Sequence, residues 1–262
     1  MKPHYLKMAL LAAILSLACT TKVSEWVLVN APAERYQLLY YYGGTVSEAA
    51  RRQNADLENR FRKANISFRS VQKSGITAPY YALAYKNRIM AEYKDYDAVK
   101  DIVTSPVRRK VATDLLMGKL CVMVYLKSGI REKDEPGIEA IRKSLASSPF
   151  GEIITLVELD RRQSGEKDFI DLLLQVESDL QGISEPMLFG VFGRFRVLEP
   201  LLAKGITEEN VGLMISFLTA DCSCVIKDEL PGISMLHQAD WENPLPAQVN
   251  KILDSNPSLI HH

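Results

Sequence analysis

Apolar positions along this chain follow two rhythms, short aromatic or aliphatic runs and longer stretches with a repeat near 3.6 residues. Tyr36 to Tyr42 (YQLLYYY) is such a run and predicts a strand, stopped by Gly43-Gly44. Thr45-Val46-Ser47-Glu48 then reads as a capping box, with Thr45 accepting from the backbone and Glu48 reaching back. The helix that follows, to Lys63, puts Ala50, Leu57 and Phe61 on one face. Residues 65–71 (NISFRSV) predict a second strand, and Tyr80 to Tyr85 a third, entered through Pro79. Pro106 opens another helix, where its missing N–H is not needed, with Val107, Val111 and Leu115 at i, i+4 and i+8. Between them, residues 72–104 hold short apolar pieces that fit strand and helix equally well.

The rhythm then restarts. Leu120 to Leu126 (LCVMVYL) is apolar on both faces, as a central strand is, and Ser128-Gly129 ends it. A helix carrying Ile138, Ile141 and Leu145 follows, then a strand from Ile153 to Leu159. Glu166 to Leu180 is the most regular helical pattern, with Phe169, Leu172, Leu173, Val176 and Leu180 on one stripe. Pro186 introduces a strand from Leu188 to Phe192, Gly193-Arg194 turns the chain, and Val197 to Leu202 returns as a hairpin. Thr207 caps a last helix with Val211, Met214, Ile215 and Leu218 inward.

Each half reads strand, helix, strand, then a proline before a further strand, and the second half adds helix, hairpin and helix. That is the order of a thioredoxin-like unit. Three segments carry a closer resemblance: Ser105-Pro106-Val107-Arg108-Arg109 with LCVMVYLKSG, Pro186 with VFGRFRVLEPL, and DCSCVIKDELPG. Together they resemble a bacterial family of exported proteins with tandem thioredoxin-like domains and a C-terminal C-S-C motif. Membership implies a fold and no settled activity. The expected class is α/β, with two thioredoxin-like domains over residues 24–118 and 119–262, each a mixed sheet flanked by helices.

The N-terminus adds an address. Lys2 and Lys7 precede an apolar run from Met8 to Leu17, and at about ten residues the run is half of what a bilayer span needs. Cys19 stands directly after Leu15-Ser16-Leu17-Ala18, a stretch that resembles a bacterial lipobox, although Ser16 replaces the usual leucine three before the cysteine. The expectation is a signal peptide over residues 1–18 and lipidation of Cys19. Ordinary secretion with cleavage nearby and an uncleaved anchor are the alternatives. The address is then the bacterial cell envelope, facing the periplasm or the exterior. Thr20, in place of aspartate, favours an outer membrane in a Gram-negative host. The whole chain has 32 basic and 32 acidic residues, and loss of Lys2 and Lys7 tips the rest to a slight acidic excess. No basic footprint for nucleic acid exists.

Thioredoxin chemistry needs C-x-x-C where the first strand enters the first helix, so that the helix N-terminus lowers the pKa of the attacking thiol. The two corresponding places hold Gly43-Gly44-Thr45-Val46 and Ser128-Gly129-Ile130-Arg131, with no cysteine. Pro79 and Pro186 stand where that fold places a cis-proline platform, or they simply open strands. Cys222-Ser223-Cys224 is the one closely spaced cysteine pair, and three readings compete. It is a structural disulfide or inert pair, a strained exchangeable disulfide, or part of a soft-metal site for copper or zinc with His237 as the nearest further ligand. Cys121, mid-strand, reads as a small buried hydrophobe. FGVFGRFR (residues 189–196) reads as a hairpin with a basic tip.

These features favour a non-catalytic module that contacts another envelope protein, tethered to the membrane by lipid and needing no cofactor. The alternative is a thiol-redox or copper-handling factor using Cys222 and Cys224. A third reading is an enzyme whose site lies between the two domains.

Overall fold

The computed structural model describes residues 21–221 and 230–241. Cys19, Cys222 and Cys224, and with them the lipidation and C-x-C expectations, lie outside these residues.

Two mixed sheets flanked by helices make up the described chain. In the first, β1 (Tyr36–Tyr42) and β2 (Ile66–Gln72) run parallel, joined by α2 (Glu48–Arg60). β3 (Tyr80–Tyr85) returns antiparallel to β1, and β4 (Arg88–Tyr93) antiparallel to β3, for the order β2-β1-β3-β4. The second sheet pairs β5 (Cys121–Lys127) in parallel with β6 (Ile154–Asp160) through α5 (Arg131–Ser147). After α6 (Lys167–Leu173), β7 (Met187–Phe192) lies antiparallel to β5. β8 (Arg196–Val197) and β9 (Leu201–Leu202) return along β7, and β10 (Ile233–Ser234) adds an edge to β8. The remaining helices are α1 (Val23–Asn30), the short α3 (Tyr96–Val99), α4 (Pro106–Leu116) and α7 (Glu208–Thr219).

Several elements differ from the expectation, each for a local reason. Ser47, not Thr45, caps α2, accepting from the Ala50 N–H at 3.1 Å, while Glu48 pairs with Arg52. β4 escapes the pattern because it is an edge strand with Arg88 and Glu92 outward; the two-residue turn before it uses left-handed Lys86 and Asn87, as a tight hairpin demands. The helix predicted from Glu166 to Leu180 stops at Leu173. There the Gln175 and Val176 N–H groups bond three residues back, to Leu172 and Leu173, and the Gln175 side chain donates to the Asp171 carbonyl. Leu174, Val176 and Leu180 are still buried, so the apolar stripe records burial of a turn rather than a longer helix.

Burial also crosses the expected 24–118 and 119–262 partition. One face of the second sheet (Cys121, Met123, Tyr125, Leu188, Phe192) packs with α5, α7 and Val23 and Val27 of α1. The other (Val122, Val124, Leu126, Phe189, Val191) shares a continuous apolar cluster with Tyr36, Leu38 and Leu83 of the first sheet, through Val111 and Leu115 of α4 and Phe169 of α6. α1 is therefore packed on the second sheet, although it precedes the first in sequence. The segment after β10 goes the other way. It returns to the start of β2, where the Asn65 N–H donates to the His237 carbonyl and the Ala239 N–H to that of Lys63.

Arg196 anchors that crossing. It is only 6% exposed, and its guanidinium donates to the carbonyls of Pro231 (2.7 Å), Gly232 (2.6 Å) and Leu230 (3.2 Å), with Glu34 of the first half 3.7 Å away. Arg194 donates to the Leu28 carbonyl at 2.9 Å. The arginines of the expected basic tip thus serve as internal clamps. Gly232 is left-handed (φ 74°), and a Cβ there would lie 2.3 Å from the Val197 carbonyl oxygen. Replacing Arg196 by Met strands three carbonyls and is expected to lower the unfolding free energy by roughly 2–4 kcal/mol, read by urea denaturation. Arg196→Lys, with one point donor in place of a planar fork, recovers only part of it.

Candidate functional site

The two strand-to-helix turns, Gly43-Gly44-Thr45-Val46 and Ser128-Gly129-Ile130-Arg131, lie where the sequence places them, at the carboxyl ends of β1 and β5. In the second half the turn is closed on itself. The Asp134 carboxylate accepts from the Ser128 N–H (2.7 Å), the Ser128 hydroxyl (2.8 Å) and the Gly129 N–H (3.0 Å). Gly129 is left-handed (φ 85°), which only glycine adopts without cost. The Tyr125 hydroxyl donates to the Asp134 carbonyl at 2.7 Å from beneath, and α5 comes that close because Gly137 has no Cβ: one placed there would lie 2.6 Å from the Tyr125 oxygen. The turn spends its donors on one internal carboxylate.

On the β6 side of this turn lies a small cleft of about 270 Å³ whose charges are paired off. Asp160 holds Arg162 through two bonds (3.1 and 2.9 Å), Glu158 meets Lys127 and Arg142, and Arg131 meets Glu135. The Arg162 side chain and N–H keep the Asp160 carboxyl down at about 2.

A larger groove opens on the other side of the first turns of α5. It measures about 930 Å³ and runs between Pro136 and Gly137 of α5, Pro186 before β7, and Leu202 to Thr207. Its walls are mainly apolar, and an ion pair of Lys133 with Glu185 (2.5 Å) stands at the rim. Pro186 is buried in its wall, with its carbonyl accepting from the Ala203 N–H at 2.9 Å. Pro79 is exposed and belongs to no comparable groove. The expected cis-proline geometry is absent at both, since no cis peptide bond occurs among the described residues. The Ala203 bond continues the β7–β9 ladder by one residue pair, from Met187 and Leu202 to Pro186 and Ala203.

The remaining candidates fall inside the protein. Cys121 is a free, fully buried thiol, and burial pushes its pKa up to about 12, so it is inert as a nucleophile. His237 is 1% exposed and stacked on Phe195 at 5.0 Å. Its Nδ1 donates to the Met235 carbonyl (2.8 Å), and its Nε2 accepts from the Trp241 indole N–H (2.8 Å). Both nitrogens are spent, so His237 offers no lone pair to a metal at Cys222 and Cys224. Among the described residues no group of three or more His, Cys, Asp or Glu converges as a metal site.

Sequence reasoning missed the buried charge between the halves. Arg108, in the first turn of α4, is 2% exposed, donates to the Ile102 carbonyl and lies over the Phe169 ring at 5.1 Å. Burial lowers its pKa to about 10, against the opposing charges of Asp168 and Glu166. Fully buried Glu166 accepts from the Val107 N–H at 2.8 Å, capping α4 from the second half. A Pro-Val-Arg at a helix start, normally exposed, gives no hint of this.

No protein-family model matches the chain, and no curated protein does. Two solved structures are similar to it. The crystal structure of human ERp44 form II is 11% identical, with 86% of this chain and 60% of that one covered at a TM-score of 0.32. Human ERp44 form I is 11% identical, with 89% and 64% covered at a TM-score of 0.26. The chain spans less than two thirds of the length of either.

His237 makes stability depend on pH. Burial, helped by the Arg108 charge and opposed by the Met235 carbonyl, lowers its pKa from 6.5 to about 4. Between those values the unfolded chain takes up a proton that the folded chain refuses. The contribution is complete above about pH 6.5 and is lost as pH falls to about 4, up to roughly 3 kcal/mol. Urea titrations of wild type and His237→Phe across this window should show the loss in the first and a flatter profile in the second.

Proposed function

We propose that this chain is a lipid-anchored protein of the bacterial envelope, built from two thioredoxin-like units without a dithiol, that works as a binding module for an extended apolar segment of another envelope protein. The strand orders β2-β1-β3-β4 and β6-β5-β7-β8, each with a parallel βαβ start and an antiparallel return, support the thioredoxin-like reading. The lipobox-like stretch before Cys19 supports the anchor. The observation that carries the function is the 930 Å³ apolar groove at Pro186, beside a β5–α5 turn in which Asp134 takes the Ser128 and Gly129 donors. A groove of this size and lining recognises side chains by burial, and the adjoining turn brings no nucleophile, acid or base to act on them.

The test is a library of extended peptides screened on the purified protein without its lipid, followed by amide chemical-shift mapping of the selected sequences. Apolar peptides should shift residues 132–137, 185–187 and 202–207. Leu202→Glu, on the groove wall, should weaken them about tenfold or more by burying an unpaired charge. Cys222→Ser with Cys224→Ser should leave binding unchanged. Loss of binding in that double variant, with the fold retained, would overturn the reading in favour of thiol or copper work.

A further inference from the structure

A further cavity, of about 280 Å³, lies between the two halves and shares no lining residue with the Pro186 groove. β4 of the first sheet contributes Met90 and Tyr93, and α6 with the turn after it contributes Asp168, Asp171, Leu172 and Gln175. No Lys or Arg lines it. Asp168 is partly buried, and its only hydrogen bond among the described residues is a long one from the Tyr93 hydroxyl at 3.3 Å; no Lys or Arg comes within ion-pair distance of it. The nearest internal cation, Arg108, donates to the Ile102 carbonyl and lies over the Phe169 ring, and its charge, like that of Lys167, reaches Asp168 through space without a hydrogen bond or ion pair. Asp171 is different, being already paired with Lys167 at the rim.

Gln175 adds an independent sign. It is 9% exposed and donates its amide nitrogen to the Asp171 carbonyl at 3.1 Å, while its amide oxygen has no hydrogen-bond partner among the described residues. That oxygen is not sealed inside the protein, and in the cavity lining it is open to a donor. The cavity thus presents a carboxylate and an amide oxygen on one wall, with Met90, Leu172 and the Tyr93 ring around them. A carboxylate outside an ion pair and an open amide oxygen suit a ligand that brings its own N–H groups and positive charge. One carboxylate outside an ion pair does not suit a hydrated metal ion, which asks for several oxygen ligands.

We propose that this cavity binds a small organic cation bearing a primary ammonium group. The ammonium bonds the Asp168 carboxylate and the Gln175 amide oxygen, and the carbon body lies against Met90, Leu172 and Tyr93. Because its walls come from both halves, bound cation also ties β4 to α6.

Phenethylammonium and its neutral isostere 2-phenylethanol serve as the probes, titrated into the protein followed by amide chemical shifts, with CaCl2 as a third titrant. Phenethylammonium should give saturable shifts confined to residues 90–93 and 168–175, and 2-phenylethanol should bind at least about tenfold more weakly, as loss of a charge-assisted pair implies. Asp168→Asn, which keeps the shape and removes the charge, should cost the ammonium probe about tenfold and leave the alcohol unaffected. Gln175→Leu provides a second variant should the first fail to fold, and it too should weaken the ammonium probe. Equal binding of the two organic probes, shifts scattered outside the cavity, unchanged affinity in both variants, or saturation by calcium in place of the amine would each overturn the proposal.

Discussion

The two sheets of this protein depend on one shared apolar layer. The first sheet has a helix between β1 and β2 but only a short loop between β2 and β3, so α2 by itself leaves part of its inner face uncovered. That face, with Tyr36, Leu38 and Leu83, is closed by α4 and α6, the same helices that cover one face of the second sheet. Burial on both sides of one helical layer ties the halves into a single body, and the cost of exposing it makes separate unfolding of either half unfavourable. The charges in that layer follow from it. Arg108 and Glu166 sit at the start of α4 because the helix end itself is buried there, and a buried N–H must find an acceptor.

Two segments distant in sequence lock this arrangement. α1 seals the second sheet from the N-terminal side, with the Ser24 hydroxyl on the Leu218 carbonyl at 2.7 Å and the Val23 N–H on that of Ala220. The segment from β10 to Trp241 crosses back to the first half under the hold of Arg196, and the Tyr36 hydroxyl meets the Ser234 carbonyl at 3.0 Å. Phe195, in the left-handed region at φ 62°, is part of the same lock. Its strained backbone puts the ring between Phe169 and His237, joining α6 to the returning segment.

The end of β5 is closed by the helix that follows it. In a dithiol enzyme, the helix N-terminus is an open positive pole facing a thiolate. Here Asp134 folds back from the same helix onto Ser128 and Gly129, placing its negative charge and three hydrogen bonds at that pole. The groove beside it keeps its apolar walls and its proline.

Much of the local build was determined by the sequence alone. β1, β3 and β5 follow their aromatic and aliphatic runs, α4 starts at Pro106, Thr207 caps α7, and neither β–α turn holds a cysteine, because each of these depends on neighbours within a few residues. What only the tertiary structure decided depends on partners far along the chain. The burial of Arg108 against Phe169, the capping of α4 by Glu166 and the placement of α1 on the second sheet join residues from about 60 to 200 positions apart. The early end of α6 belongs here too, since the same apolar stripe is buried whether it winds as a helix or as turns. The two cavities are the clearest case: Pro186 and Asp168 look ordinary in sequence, and only packing brings Pro136 and Leu202 to the one and Tyr93 to the other.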